Sequence, residues 1–289
     1  MSIREEELNK ITSTNEIHLM DTIRYQQMKL AWQDLIDGIQ KWPVWLMLAY
    51  QDIKLRYRRS VIGPFWLTIS MAITVYSMGY LYAHLFQVKL DVYFPFLTAG
   101  MLGWSLISTS VLEFTEGLTS YEALIKQIKL PYTTYMHRII SRNIMIFFHN
   151  IFVMLPVYFI YPLSAKLNIH TLFLLPGLVI IYFNAFTFGT ILSMIGARYR
   201  DIAQAIKSLI QVIFFVTPVM WQPDILINKN HWIIDLNPFF AMLELLREPL
   251  LGNLPSLSVF LNLLFTSLIG VLFSAFLFIR HRARIVYWL

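Results

Sequence analysis

Five apolar runs of about bilayer-spanning length constrain this chain more than any other feature: Val61 to Phe86, Phe94 to Leu112, Ile144 to Leu163, Leu172 to Gly196 and Leu257 to Ile279. A bilayer's hydrocarbon core is about 30 Å thick, and a helix rising about 1.5 Å per residue crosses it in roughly 20 residues. A sixth run, Leu209 to Trp221, covers only about 20 Å by the same arithmetic, so it spans only if its helix starts near Ile202 and Lys207 snorkels. Lipid offers no partner to a free backbone N–H or C=O, so helices are the natural form for such runs. The expectation is an all-α polytopic protein with six transmembrane helices at about 61–86, 94–112, 144–163, 172–196, 202–221 and 257–279. A content of 57% apolar and 14% charged residues, with a mean hydropathy of +0.58, fits that solvent.

Charge gives the orientation. With the N-terminus inside, nine Lys and Arg fall in Met1 to Ser60, four in Glu113 to Asn143, three in Ala197 to Ser208 and three in Arg280 to Leu289. Only Lys89, Lys166, Lys229 and Arg247 fall on the other side. The positive-inside rule therefore predicts that both termini are cytoplasmic. A net charge of +6 distributed between apolar runs is an orientation signal, and nucleic acid is not an expected partner. Met1 to Lys41 is polar, lacks the pattern of a cleavable signal peptide, and reads as a cytoplasmic extension.

Two shorter segments have helical spacing without spanning length. Trp42, Leu46, Tyr50, Ile53 and Tyr57 repeat ahead of the first span, with Lys54, Arg58 and Arg59 on other faces. This predicts an interfacial amphipathic helix within 42–60, against the plainer reading of a juxtamembrane linker. Between the last two spans a piece opens at Asn237 and Pro238 and places Phe239, Met242, Leu243, Leu246 and Leu250 on one stripe. It reads either as short re-entrant helices, which need protein or a watery cavity around their backbone, or as an ordinary surface helix.

Catalytic signatures are missing. None of the 11 glycines stands in a G-x-x-x-x-G-K-[ST] phosphate loop, there is no cysteine, and none of the seven histidines has the i, i+4 partner and acid of a helical zinc site. No G-x-S-x-G elbow and no D-x-D pair is present. The spans hold few ionisable groups, which argues against an ion-coupled carrier. Asn143, His149, Asn150, Asn184, Gln211 and Asn262 read first as interhelical hydrogen-bonding groups. Ala185, Gly189, Ser193 and Ala197 repeat every four residues as a packing face. Tyr76, Tyr80 and His84 share a stripe that fits either an interfacial aromatic belt or a stacking surface for sugar rings. Tyr121, Leu124, Ile125 and Ile128 form an apolar helical stripe after the second span, either a solvated loop helix or one seeking a protein groove.

The run DIKLRYRRSVIGPFW at Asp52 to Trp66 resembles the approach to the first span in ABC-2 type polysaccharide export permeases of the O-antigen, capsule and teichoic-acid class. So do ARYRDI at Ala197 to Ile202, FFVTPVMW at Phe214 to Trp221 and LNPF at Leu236 to Phe239, in the family's order and over all but Met1 to Lys41. The resemblance implies an ABC-2 type transmembrane domain over 61–289. It implies a homodimeric channel in the inner membrane for a lipid-linked polysaccharide, with O-antigen of lipopolysaccharide first among its substrates. Two copies of an ABC ATPase subunit would bring the ATP and magnesium, this chain having no cofactor and no enzymatic role. The helix at Tyr121 to Ile128 would be the coupling helix and Asn237 onward the outer re-entrant piece. Phe214 and Phe215 would join the aromatic lining, and Arg56, Arg58 and Arg59 would meet the lipid pyrophosphate or membrane headgroups. A polytopic lipid- or glycan-processing enzyme and an ion-coupled carrier are the competing readings.

Overall fold

The computed structural model describes residues 25–63, 65–223, 234 and 236–289. The start of the N-terminal extension and most of the segment before Asn237, Lys229 included, lie outside the described residues. All regular structure among the described residues is helical: α1 (25–40), α2 (Trp42–Arg56), α3 (Phe65–Leu85), α4 (Leu90–Thr115), α5 (Glu122–Gln127), α6 (Tyr132–Asn150), α7 (Met154–Ile160), α8 (Leu174–Arg198), α9 (Ile202–Val216), α10 (Pro238–Leu251), α11 (Leu257–His281) and α12 (Ile285–Trp288).

Four helical stretches are long and apolar enough to cross a membrane: Leu90–Thr115, Tyr132–Ile160, Ile169–Arg198 and Leu257–Trp288. Two of the six expected spans fall short of that mark. The first, α3, has the length at 21 residues, but its tyrosines, serines, threonines and terminal histidine dilute its apolar content. The other, α9, stops after 15 residues, because Thr217 precedes Pro218 and takes an extended conformation with ψ of 132°. A proline's Cδ clashes with a helical residue before it, so the run expected to reach Trp221 breaks at Val216.

The third span also begins earlier than expected. Residues 132–143, assigned by pattern to a cytoplasmic segment, are the first turns of α6, which continues through a 3-10 turn at Ile151–Val153 into α7. Pro156 has no N–H for the carbonyl four residues back, and the chain tightens there rather than breaking. Two hydrogen bonds from α3 brace the joint: Thr68 Oγ1 donates to His149 O at 2.9 Å and Tyr76 Oη to Val153 O at 2.7 Å.

The stripe of small residues on α8 packs as the pattern implied. A Cβ on Gly189 would sit 2.6 Å from the Phe114 ring, and Ser193 Oγ donates to Phe114 O at 2.8 Å, so α8 and α4 meet at close range. Short α10 is buried rather than lying on the surface: Leu243, Leu246 and Leu250 are at most 1% exposed, and the helix packs on α4, α11 and α8. Its start is as the sequence suggests, with Asn237 Oδ1 accepting from Phe239 N and Phe240 N and Pro238 in the first turn. Its end is the left-handed Gly252, φ 87°.

The expected interfacial stripe on α2 divides. Trp42 and Tyr50 are 57% and 61% exposed and Leu46 borders them, whereas Ile53 and Ala49 are buried against α6. Ahead of it, residues 25–40 form a helix whose buried Asp34 accepts from Tyr132 N and Thr133 N and pairs with Arg282 at 2.8 Å. The N-terminal helices are thus tied both to the start of α6 and to the end of α11.

Candidate functional site

Basic side chains collect at one end of the bundle, where α2, α4, α5 and α6 meet. Asp52 on α2 is at its centre. Arg138 grips it with two hydrogen bonds, Nε to Oδ2 at 2.9 Å and Nη2 to Oδ1 at 2.6 Å, and Arg142 Nη1 adds a third at 2.9 Å. Arg142 Nη2 reaches across to Glu113 on α4 at 2.7 Å, and Arg56 approaches the other oxygen of Glu113 at 3.4 Å. Burial alone would push the Asp52 carboxyl up, but the paired Arg138 and Arg142 guanidiniums outweigh it and hold the group below its ordinary 3.8. Bidentate arginine pairs fix direction as well as charge, so this cluster sets how α2 lies across α4 and α6.

Tyr121 joins the same cluster. Arg138 lies over its ring at 4.3 Å, Arg142 Nη1 donates to its hydroxyl at 3.2 Å, and its ring stacks on Tyr135 at 5.4 Å. Burial raises its phenol above the usual value. The next helix, α5, has six residues; Leu124 and Ile125 turn inward onto the core, while Ile128 stays 50% exposed beside the exposed Lys129. Of the expected coupling stripe, then, three residues hold α5 to the body and one faces outward.

A cavity of about 550 Å³ opens beside the cluster, between α3, α4 and α6. Arg56, Tyr57 and Trp66 border it, and Asn143 and Asn150 line its inner wall. The other two expected anion contacts are outside it: Arg58 and Arg59 are exposed in the turn after α2, where Arg59 has a φ of 70°.

At the opposite end one arginine is wholly enclosed. Arg247 on α10, 0% exposed, donates to Glu244 Oε1 at 2.8 Å and to the carbonyl of Pro218, with its guanidinium 4.0 Å over the Phe96 ring. A Cβ on Gly100 would come within 2.9 Å of Arg247 Nη2, so the glycine makes room for it on α4. Tyr93 Oη donates to Met220 O at 2.8 Å and Asn237 Nδ2 to Thr217 Oγ1 at 3.0 Å, so three side chains pin the 217–220 bend.

The expected aromatic lining is not brought together as one surface. Tyr76 is partly buried against Phe94 with its hydroxyl on Val153 O, whereas Tyr80 is 64% exposed beside His84, 4.5 Å between ring centroids. Phe214 packs on Trp104 at 5.5 Å and Phe215 is 72% exposed.

Four helical stretches long and apolar enough to cross a membrane, with a charged cluster at one end of the bundle, fit a multi-pass membrane protein. Residues 43–251 match the ABC-2 type transporter family, and the chain belongs to it. Among curated proteins it is similar to two O-antigen export system permease proteins named RfbA from Klebsiella pneumoniae. One is 24% identical over 70% of this chain and 78% of its own length, the other 23% identical over 78% and 86%. An RfbA protein from Myxococcus xanthus is 22% identical over 68% of this chain and 76% of its own.

The sequence pattern passed over Asp52, Glu113, Arg138 and Arg142. The signal was there: Asp52 opens the first quoted motif, and Arg138 and Arg142 are one helical turn apart. Assigning 113–143 to a cytoplasmic segment between two spans hid it.

Proposed function

We propose that this chain is the transmembrane subunit of an ATP-driven exporter of a lipid-linked cell-surface polysaccharide. O-antigen is the first substrate, with capsular polysaccharide or teichoic acid as alternatives of the same class. The observation that carries this reading is similarity to O-antigen export permeases over most of both chains, together with membership of the ABC-2 family. With no phosphate loop of its own, the chain depends on a partner ATPase, two copies for a homodimer, for ATP and magnesium. In this reading α3 and α9 complete six spans, the basic end is cytoplasmic with both termini, and α10 returns into the inner membrane from outside. The charge distribution of nineteen against four supports that orientation. A polymer too long for a closed pocket has to be threaded along a conduit, and ATP-driven closure of the partner would push on α5 and, through Tyr121, on the Asp52 cluster.

Depletion of the protein tests this. Surface glycan is expected to fall while its lipid-linked form accumulates inside the cell, and tagged protein is expected to bring down an ABC ATPase. Glycan processing by the purified chain alone, or uptake driven only by an ion gradient, would overturn the reading in favour of an enzyme or a carrier.

A further inference from the structure

We infer that α1 is a membrane-surface helix whose stripe of Tyr25, Met28, Trp32, Ile36 and Ile39 rests in the lipid leaflet at the end of the bundle where α11 emerges. These residues fall in the expected polar extension, ahead of both the segment expected to be interfacial and the region that matches the family. At about 100° per residue the five side chains fall within an arc of about 80°. Each is between 39% and 65% exposed. A second face, Ala31, Asp34 and Gly38, is buried. It is fixed there, because Asp34 accepts from Tyr132 N and Thr133 N and pairs with Arg282, while Trp45 Nε1 donates to Gly38 O at 3.1 Å. The helix therefore cannot roll to bury its stripe. Beyond the buried face come the exposed Gln26, Lys29, Gln33, Asp37 and Gln40, with Leu30 the one apolar exception on that side. A helix held by one face, apolar to one side of it and polar to the other, is shaped for a boundary between lipid and water.

The neighbouring surface says what covers the stripe. Along α11, Leu257, Leu261, Leu264, Leu268, Leu272 and Phe276 are exposed at steps of three and four residues, the stripe that a spanning helix turns to lipid. No Asp, Glu, Lys or Arg occurs from Leu257 to Ile279, and Arg280 is the first charge, so hydrocarbon depth on this helix ends near it. Tyr25, Gln27 and Met28 share a groove of about 650 Å³ with Phe276, Ile279 and Arg280. The lipid-facing wall of α11 thus runs on, at headgroup depth, into the start of the α1 stripe. Tyr25 and Trp32 are side chains favoured at that depth, one end apolar and the other able to hydrogen-bond. Lys29 and Arg280 flank the groove end with positive charge, which suits an anionic leaflet, and Asp37 lies on the water side. A row of five large apolar side chains left to water would be a patch of the kind soluble surfaces avoid. The placement requires only that the chain spans a membrane, whatever it exports.

The chain has no cysteine of its own, so single labels can test this. Ile36→Cys on the apolar face and Gln33→Cys on the polar face are each labelled with the fluorophore NBD in the full chain. The proteins are reconstituted alone in nanodiscs of phosphatidylethanolamine and phosphatidylglycerol, and Ile39→Cys serves if Ile36→Cys does not fold. The label at Ile36 is expected to emit at shorter wavelength than the label at Gln33. It should also be quenched several-fold more by phospholipid that carries a nitroxide about 5–10 Å below the headgroup boundary. Iodide in the water should show the reverse order. Equal quenching of both labels by iodide means that the stripe faces water without a partner protein, and overturns the placement. Protection of the Ile36 label from iodide and from the nitroxide lipid alike overturns it too, since a second copy or another part of the chain then covers the stripe.

Discussion

The two ends of this bundle both use arginine, and they use it differently. At the α5 end three arginines and two carboxylates share a cluster in which Asp52, Glu113 and Arg142 each have two charged partners, so any one of these contacts can be lost without leaving those three bare. At the α10 end Arg247 is fully enclosed, and its carboxylate, carbonyl and ring contacts cannot be traded for water. An ion pair at a wet edge is worth little but adapts, whereas a buried one is costly to break. The first arrangement suits a joint that transmits motion and the second suits a rivet.

Arg247→Ala should do the most damage. It leaves Glu244 buried without its partner, frees the Pro218 carbonyl and empties the space beside Phe96. A loss of about 3–5 kcal/mol is expected for breaking a buried pair. Thermal unfolding followed by size exclusion should show a collapse that Arg247→Met, similar in bulk, does not relieve while Glu244 remains. A merely modest loss would mean that water reaches the α10 end and would break the comparison.

Asp52→Asn should cost less, about 1–3 kcal/mol for charge-assisted bonds at a partly exposed site, because Arg142 keeps Glu113. It should also alter the pH profile. Asp52 has a folded pKa below its ordinary 3.8, so its stabilisation is fully present above that value and is lost as pH falls through the lower folded value. The variant should therefore unfold less steeply in acid, below about pH 4, than the unaltered protein. An identical acid limb in both would mean that the Arg138 and Arg142 contacts do not hold the carboxylate in solution.

Much of this contrast was legible in the sequence, though unevenly. Asn237 and Pro238 announced the start of α10, and Ala185, Gly189, Ser193 and Ala197 announced its neighbour's packing face, because capping and close approach are local properties of spacing. Partnership between distant residues was not legible. Arg247 counted as one of four cations on its side, and nothing local marks it as buried, since Pro218 and Phe96 come to it from other elements. The α6 start failed for a related reason: Tyr132 to Asn143 is polar enough to look like a loop, and its charges become tolerable only once Asp52 and Glu113 are seen to pair with them.

The helix α3 runs between the two ends and offers a smaller test. Tyr76→Phe removes a phenol bonded to Val153 O and should cost about 1 kcal/mol of stability, the net worth of one hydrogen bond. Tyr80 is 64% exposed with its ring beside His84, so Tyr80→Ser should leave stability nearly unchanged. Chain length of the surface glycan then separates a conduit wall from a lipid-facing belt: altered length in a stable Tyr80→Ser protein places Tyr80 on the path, and unaltered length returns it to the belt.

The smallest effect on folding is expected at Ile128, and it sharpens the comparison most on the side of function. Leu124 and Ile125 pack onto the core, so acidic substitutions there would confuse lost docking with lost packing. Ile128 is 50% exposed and lies just past α5 in extended backbone, where a charge meets only solvent in the isolated chain. Ile128→Asp should therefore leave thermal stability within about 0.5 kcal/mol, as surface substitutions usually do, yet lower recovery of the ATPase with the tagged protein and reduce export in parallel. Lys126→Ala, which removes only the exposed pair with Glu122 at 2.6 Å, should change neither and serves as the neighbour control. If Ile128→Asp keeps both the ATPase and export, α5 does not present the contact. The adaptable joint at Asp52 would then have to receive its push from another element at the same end, for which Arg200 and the α12 turn beside Glu116 are the nearest candidates.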